Sequence, residues 1–243
     1  MKAAFRWLGL AVLAFLALQL FFLGRIALMA VAAPESTTFQ RSEAWRIAHE
    51  RTRLRWTQHW VPYDEISDNL KRAVIASEDA TFAEHDGVDW DALEKAWQRN
   101  AKAMEQAAKR AQLVPARAKP AKIVGGSTIT QQLAKNLLLS GERSLLRKGQ
   151  EFVLTMVLEH TLSKQRILEI YLNNVEWGEG VFGAEAAAQH YYRKPAARLS
   201  AYEAARLAVM LPRPKYFETR PNSGYLASRA STIVARMGGV ELP

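Results

Sequence analysis

Two adjacent carboxylates at the end of an apolar segment are the first residues whose position suggests chemistry. Glu78 and Asp79 follow the apolar residues 73–76, and the chain is expected to turn at Gly87. A carboxylate at the C-terminal end of a helix feels the negative end of the helix dipole and loses part of its hydration. Both effects raise its pKa toward the range of a general base, so we predict that role for Glu78. Taken alone, the motif fits ordinary surface acids and a capping or packed His85 better.

A second candidate is a helix start that is rich in hydroxyl and amide groups. Gly125 and Gly126 lead into residues that can cap a helix, so free backbone N–H groups and the positive end of the helix dipole predict an anion site. At about 100° per residue, one face of this helix would pack against the protein. The other face would present Thr128, Gln131, Gln132 and Lys135. The spacing of a phosphate-binding P-loop is absent.

Basic residues surround a carboxylate further along the chain. Arg143, Arg147 and Glu151 are spaced four residues apart, and Lys148 precedes Glu151 by three, so a helix would bring them together. A surface ladder of ion pairs explains this spacing. The alternative is a phosphate clamp, in which the acid orients the cations or a substrate hydroxyl.

These motifs would be positioned by a mainly α fold, because helical periodicity recurs and alternating β patterns are scarce. The predicted helices cover residues 67–80, 89–113, 128–139, 145–162, 164–173 and 200–211. Ser200 and Glu203 predict a capping box for the last of them, which Pro212 ends. Glycines after residue 173 predict a tight loop with close backbone approach. Residues 101–122, rich in Ala, Lys, Arg and Gln, predict a solvated linker or, alternatively, a flap over an anionic substrate.

The first segment predicts a membrane anchor. Residues 7–24 are uncharged, Gln19 is their only strongly polar member, and Arg25 follows them. As a helix this run would be about 27 Å long, close to the roughly 30 Å hydrocarbon core of a bilayer. Lys2 and Arg6 place the N-terminus in the cytoplasm. A signal peptide cleaved after small residues at 30–32 is the alternative, but the length of the run and Arg25 favour an uncleaved anchor.

Composition limits the partners. The chain has 243 residues, with 33 Lys and Arg against 24 Asp and Glu, a net charge of +9 and a pI near 9.8. These values point to an anionic partner, which could be nucleic acid, a lipid surface or a phosphorylated substrate. No cysteine is present, which excludes disulfides, thiol nucleophiles and cysteine metal sites. If the chain after the anchor lies on the outer face of a membrane, a nucleic-acid partner would be hard to find there. We therefore expect the basic charge to bind lipid headgroups or a lipid-linked phosphate.

Four motifs, taken in order, resemble those of the peptidoglycan glycosyltransferases, family 51 of the carbohydrate-enzyme classification. They are E-D-x-x-F-x-x-H-x-G from Glu78, G-G-S-T-I-T-Q-Q-L-x-K-N from Gly125, R-K-x-x-E from Arg147, and I-L-E-x-Y-L-N from Ile167 with its glycine loop. The likeness extends over about residues 56–214. Each motif alone is a modest signal, but four in register are specific. The sequence lacks Ser-x-x-Lys, so no transpeptidase domain is expected and the chain resembles the monofunctional members.

The resemblance implies a lysozyme-like fold, with a large helical head and a small membrane-proximal jaw. The substrate would be lipid II, a disaccharide pentapeptide on undecaprenyl pyrophosphate, and the product a β-1,4 glycan strand. Glu78 would deprotonate the acceptor 4-hydroxyl, which attacks the anomeric carbon of the donor with inversion. Glu151 would organise the cations or assist at the acceptor. The pyrophosphate would be held by Lys135, Arg143, Arg147 and Lys148.

Other positions match the cleft of the family. These are Asp79, Phe82, His85, Thr128, Gln132 and Asn136. A divalent cation, Mg²⁺ or Mn²⁺, could screen the pyrophosphate, although no dedicated metal site is visible and no cofactor is obligatory. Expected partners are the growing glycan strand, membrane lipids, and proteins of cell-wall synthesis or division. A lytic transglycosylase or lysozyme-like hydrolase, and a non-enzymatic cell-wall scaffold, are the alternatives.

The predicted organisation is a cytoplasmic tail at 1–6, a transmembrane anchor at 7–29, a connector at 30–55 and a glycosyltransferase domain at 56–243. This places a single-pass protein in a bacterial inner membrane, with its catalytic domain in the periplasm. Around the connector, Trp45, Trp56 and Trp60 lie among arginines. This pattern fits a belt at the membrane interface or, equally, a packed helix with a basic face.

Overall fold

The computed structural model describes residues 2–50, 55–113, 120–121, 123, 125–142 and 144–243. Arg143 and part of the basic stretch at 101–122 lie outside the described residues. Within them the chain is mainly helical, as predicted. The helices are α1 (Lys2–Leu28), α2 (Thr38–Glu50), α3 (Asp68–Glu78), α4 (Trp90–Leu113), α5 (Ile129–Leu138), α6 (Leu145–Thr161), α7 (Lys164–Asn174), α8 (Ala184–Tyr192), α9 (Ala201–Met210), α10 (Pro214–Glu218) and α11 (Gly224–Met237). The strands are β1 (Thr57–Gln58), β2 (Glu176–Gly178) and β3 (Val181–Phe182), and single 3-10 turns span Tyr63–Glu65 and Ala196–Arg198.

Hydroxyl side chains begin the helices that carry the motifs. Ser67, Thr128, Ser144, Ser163 and Ser200 each accept a hydrogen bond from a backbone N–H in the first turn, which satisfies one free donor of the helix start. The predicted capping box at Ser200 is confirmed. All six predicted helices are present, with bounds that differ from the prediction by at most two residues.

Two groups of helices form the core. α9 packs against α3 and α11, and α5 packs against α6 and α7. Leu70 and Val74 of α3 and Leu133 and Leu137 of α5 are buried, so burial of apolar surface holds both helices in place. Trp177 of β2 is fully buried, and its Nε1–H donates to a carbonyl of α9 at 3.1 Å. The end of α3 and the start of α5 are therefore presented by a packed framework.

A small sheet lies beside the glycine loop. Its order is β1-β3-β2, with β1 parallel and β2 antiparallel to β3. Gly180 has a φ of +75°, and a Cβ at this position would lie 2.0 Å from the carbonyl oxygen of Arg55, so only glycine fits. The predicted close approach of the loop backbone is confirmed. Strands of two and three residues are too short to display alternation, which is why the sequence did not predict the sheet.

Helix α2 supports the interpretation of the connector as a packed helix. Thr38 Oγ1 donates to the carbonyl of Leu137 at 3.0 Å, and the buried Gln40 donates to the carbonyl of Asn174 at 3.4 Å. Ile47 is also buried, whereas Trp45 is 70% exposed. Residues 38–50 are thus a packed helix with an exposed outer face.

Three further helices were not predicted. In α8 the buried residues are alanines, which give no strong apolar stripe. α10 has only five residues. α11 was overlooked although its buried residues, Leu226, Ala230, Ile233 and Met237, recur at helical spacing.

Helix α1 is long and apolar enough to cross a membrane, and its C-terminal half belongs to the packed structure. It has 27 residues, of which Phe22 and Ile26 join the core. The amides of Gln19 and Gln150 bond to each other reciprocally, at 2.8 and 3.3 Å. Arg166 of α7 donates to the carbonyls of residues 29 and 32 at 2.8 and 2.9 Å. Helix α1 is therefore fixed to α6 and α7 rather than linked to them only through the chain.

This attachment predicts a specific cross-link. Because the chain has no cysteine, the double variant Gln19→Cys/Gln150→Cys should react with a short bismaleimide within one molecule. The matched control is Phe21→Cys/Gln150→Cys, because Phe21 lies about 200° around α1 from Gln19. Mass spectrometry of protein in native membranes would measure the yield. Equal yields from both pairs would contradict the packing of α1 on α6.

Candidate active site

Glu78 lies at the end of α3 beside an ordered pair of polar side chains. Its Oε2 accepts a hydrogen bond from Gln132 Nε2 at 3.0 Å, and Gln132 Oε1 accepts one from the Tyr171 hydroxyl at 3.0 Å. Burial raises the pKa of Glu78, while the bonds from Gln132 and Ser77 and the positive charge of Arg229 lower it by less. The predicted upward shift is thus present, and its main cause is burial. Burial also raises the pKa of Tyr171, so its hydroxyl remains a donor.

Asp79 joins the end of α3 to the start of α5. Its Oδ2 accepts the N–H of Ile129 at 2.9 Å, and its Oδ1 lies 2.9 Å from His85 Nε2. The N–H of Gly87 donates to His85 Nδ1 at 3.1 Å, which assigns the neutral tautomer that carries its proton on Nε2. His85 therefore donates to Asp79. The anion site predicted at the start of α5 is therefore occupied by the carboxylate of Asp79.

The polar face predicted for α5 is only partly available. Thr128 is 3% exposed, and its hydroxyl donates to the carbonyl of Gly87 at 2.6 Å while it caps the helix with Gln131. The prediction that Thr128 and Gln131 present their polar groups outward was wrong, because the capping box uses them. Gln132 and Lys135, from the same face, do line a cavity.

Phe82 supports the motif from behind. Its ring is fully buried, and Lys164 Nζ lies 4.6 Å from the ring centroid, within cation–π range. Lys164 also pairs with Glu159 at 2.9 Å. The structure therefore places Phe82 in the core, where it positions the 78–87 segment.

Arg147 and Lys148 converge on Glu151, as the spacing predicts. Glu151 is 3% exposed, its Oε2 lies 2.8 Å from Arg147 Nη1, and its Oε1 bonds to Lys148 Nζ. Arg147 Nε is buried without a hydrogen-bond partner among the described residues. Burial lowers the pKa of Lys135, the charges of Arg147 and Lys148 lower it further, and Glu151 opposes the shift. Lys135 therefore belongs to this cation cluster.

Two adjoining cavities connect Glu78's surroundings with the cations. They share Phe39, Lys135 and Asn136. The smaller, of about 280 Å³, is lined also by Gln132, Tyr171 and Glu176. The larger, of about 540 Å³, reaches Arg147 and is bordered by α2. At one end of the resulting cleft lies Gln132, the hydrogen-bond partner of Glu78. At the other end lies the positive charge of Arg147.

No group of three or more His, Asp or Glu side chains that could hold a metal ion occurs in the described part of the chain. Glu151, the buried acid nearest the cations, already bonds to two of them. Arg147 and Lys148 are therefore cations paired with one buried carboxylate, an arrangement that can bind an anion.

Three residues of this region were not predicted as site residues from the sequence. Tyr171 lies in the predicted helix at 164–173, and its position beside an asparagine-rich helix end could have suggested a hydrogen-bonding role. Glu176 follows that helix, in the loop region where only the glycines gave a signal. Arg229 lies on α11, beyond the stretch over which the resemblance extends.

The helical fold places a half-buried acid, Glu78, beside a cleft that has cations further along it, an arrangement suited to a glycosyl-transferring enzyme. The model of the family described as transglycosylase matches residues 46–238, so the chain belongs to the transglycosylase family. Three relatives are named biosynthetic peptidoglycan transglycosylase. The Burkholderia thailandensis protein is 54% identical over 98% of this chain and 88% of its own length. The Burkholderia vietnamiensis protein is 53% identical over 95% of this chain and 87% of its own length. The Burkholderia pseudomallei protein is 52% identical over 98% of this chain and 88% of its own length.

The turn after His85 predicts a sharp difference between two glycines. Gly87 has a φ of +87°, and a Cβ would lie 2.7 Å from Thr155 and 2.8 Å from Glu159. Gly87→Ala should therefore destabilise the protein by about 2 kcal/mol or more. Gly149→Ala is the control, because Gly149 lies within α6 with open space around it and should gain about 0.5–1 kcal/mol. Thermal unfolding in detergent would measure the stability of both variants. Equal melting temperatures would contradict the conclusion that only glycine fits at position 87.

Proposed function

We propose that the chain is a peptidoglycan glycosyltransferase that polymerises lipid II and releases undecaprenyl pyrophosphate. The observation that carries the proposal is the half-buried Glu78, oriented by Gln132 and Tyr171, beside a cleft that Gln132 lines and that continues to Arg147. The names and identities of the three relatives support the substrate class. The family match supports the reaction class.

Glu78 acts as the general base in this proposal. It takes the proton of the acceptor 4-hydroxyl while that oxygen attacks the anomeric carbon of the donor, and the bond from this carbon to the pyrophosphate breaks with inversion. Burial raises the pKa of Glu78, which brings it closer to the pH at which a base works best. Gln132, held by Tyr171, orients the carboxylate.

The cation cluster receives the leaving group. Negative charge grows on the pyrophosphate oxygens as the bond breaks, and fixed cations stabilise that charge without reorganising. Lys135, Arg147 and Lys148 serve this purpose, with Arg143 as a further member predicted from the sequence. Glu151 positions Arg147 and Lys148. A divalent cation would arrive with the pyrophosphate and is not required by the clamp.

Exposed apolar side chains support a membrane-bound location. Trp90 and Trp97 of α4 are 63% and 77% exposed, and Leu145 and Leu146 of α6 are 93% and 89% exposed. Contact with lipid would remove these side chains from water. Together with α1, they support a single-pass protein that takes its lipid-linked substrate from the outer leaflet of the inner membrane. Binding of cell-wall synthesis or division proteins remains part of the proposal.

Replacement of the base should stop polymerisation. Glu78→Gln keeps the size of the side chain and loses the proton acceptor, so kcat should fall by about 10²- to 10⁴-fold. Glu84→Gln is the control, because Glu84 is an exposed acid of the same motif. Detergent-solubilised protein is incubated with lipid II, and glycan strands are resolved on gels. Full activity of Glu78→Gln would exclude its role as base. Shortening of preformed strands by the wild type, without polymerisation, would favour a hydrolase, and no reaction at all would favour a scaffold.

The pH dependence tests the link from Gln132 to Glu78. Because Glu78 must be ionised, kcat/KM falls as the pH drops through its pKa, which burial raises. The bond from Gln132 lowers this pKa, so Gln132→Leu should move the acid limb to higher pH. Tyr171→Phe should move it in the same direction by less. The exposed amide variant Gln189→Leu is the control, and an unmoved limb in Gln132→Leu would contradict the proposed coupling.

A further inference from the structure

Glu176 is a buried acid in the cleft that the mechanism above does not use. It is the first residue of β2 and is 8% exposed. Its Oε1 is buried and has no hydrogen-bond partner among the described residues; Lys215 Nζ lies 3.3 Å away in an ion pair. The side chain lines the 280 Å³ cavity with Gln132, Lys135 and Tyr171.

The surrounding charges leave this carboxyl incompletely satisfied. Lys215 of α10 bonds more closely to Glu43 of α2, which also pairs with Arg46 at 2.9 Å. Burial raises the pKa of Glu176 to about 7; Lys215 and Arg46 lower it, and Glu43 raises it. From α8, Tyr191 also faces this region: burial raises the pKa of Tyr191 most, and the charges of Glu218, Tyr192 and Glu176 raise it further. A buried acid with an unused acceptor is costly, so such a group is a candidate for completion by a ligand.

The chemistry of the cavity selects the kind of ligand group. The carbonyl oxygen of the Gln132 amide is already engaged by Tyr171, so Glu176 offers a charged acceptor to an incoming donor. A phosphate would be repelled by this carboxyl and attracted to Arg147 at the far end of the cleft. Lys135 and Asn136 can donate to oxygen atoms of the same ligand. A neutral sugar with hydroxyl and amide groups meets all these conditions.

We propose that Glu176 is a substrate-binding residue that accepts a hydrogen bond from a hydroxyl or acetamido N–H of an amino sugar in this cavity. The inference rests on the proposed function, since the sugar belongs to the polymerised substrate. It adds a subsite to the cleft: a neutral sugar is held beside the general base, and the phosphate end is held by the cations.

Binding and turnover of lipid II test the assignment separately. In the Glu78→Gln background, which prevents turnover, Glu176→Gln should weaken lipid II binding by about tenfold, the value of one hydrogen bond to a charged group. In the active enzyme the same change should raise KM by a similar factor and alter kcat less. Glu179→Gln is the matched control, because Glu179 follows in the same turn but pairs with Arg46 and does not line the cavity.

The dependence on pH separates ligand binding from a structural role. A carboxylate accepts a stronger hydrogen bond than a protonated carboxyl does, so the KM difference between wild type and Glu176→Gln should be large at pH 8 and small at pH 6. Lys215 lowers the pKa of Glu176, so in Lys215→Met the change in KM should occur at a higher pH than in the wild type. At a pH well above the pKa of Glu176, KM of this variant should be near the wild-type value. If Glu176 only holds Lys215, both variants should raise KM equally at every pH.

The outcomes distinguish the two proposals. A wild-type protein that polymerises lipid II, with unchanged binding and KM in Glu176→Gln, would overturn the role of Glu176 and leave the proposed function standing. A wild-type protein that neither binds nor polymerises lipid II would overturn both.

Discussion

A buried carboxylate holds the candidate active site together. Asp79 accepts hydrogen bonds from the backbone of Ile129 and from His85, and a carboxylate in the interior is tolerable only while such bonds are made. Loss of either bond would leave charge without a partner, so the end of α3 and the start of α5 are joined firmly. This junction brings Glu78 to Gln132 across 54 residues of sequence. The orientation of the acid and the shape of the cleft beside it both depend on this contact.

The cleft separates two electrostatic requirements. A base needs a pKa raised toward neutrality, whereas a clamp for a leaving anion needs cations, and cations close to the base would lower its pKa. The molecule places a neutral amide, Gln132, directly beside Glu78 and binds two cations to Glu151 further along. Lys135 lies between the two regions and lines both cavities. Proton transfer and charge stabilisation can therefore occur in one cleft without cancelling each other.

Helix α1, which is long and apolar enough to cross a membrane, is part of the same architecture. Gln19 bonds to Gln150, the residue before Glu151, and Arg166 bonds to the chain just after α1. Gln19 lies on an apolar helix, where an amide without hydrogen-bond partners would be costly in lipid. The bonds to Gln150 therefore fix the orientation of α1 on α6. In the proposed membrane-bound protein, these contacts would set the depth of the cation cluster relative to the bilayer. A lipid-linked substrate would then meet the clamp at a fixed height.

The sequence by itself determined what depends on local spacing. Helix bounds, the cap at Ser200 and the pairing of Arg147 with Glu151 all follow from the geometry of a single helix, in which residues three or four apart meet. Tertiary structure alone decided which polar groups turn inward. Thr128 serves a cap rather than the cleft, and Glu176 reaches the cleft from a strand too short to predict. These outcomes depend on packing between distant segments, and burial, not residue type, decides whether a side chain supports the fold or faces the substrate.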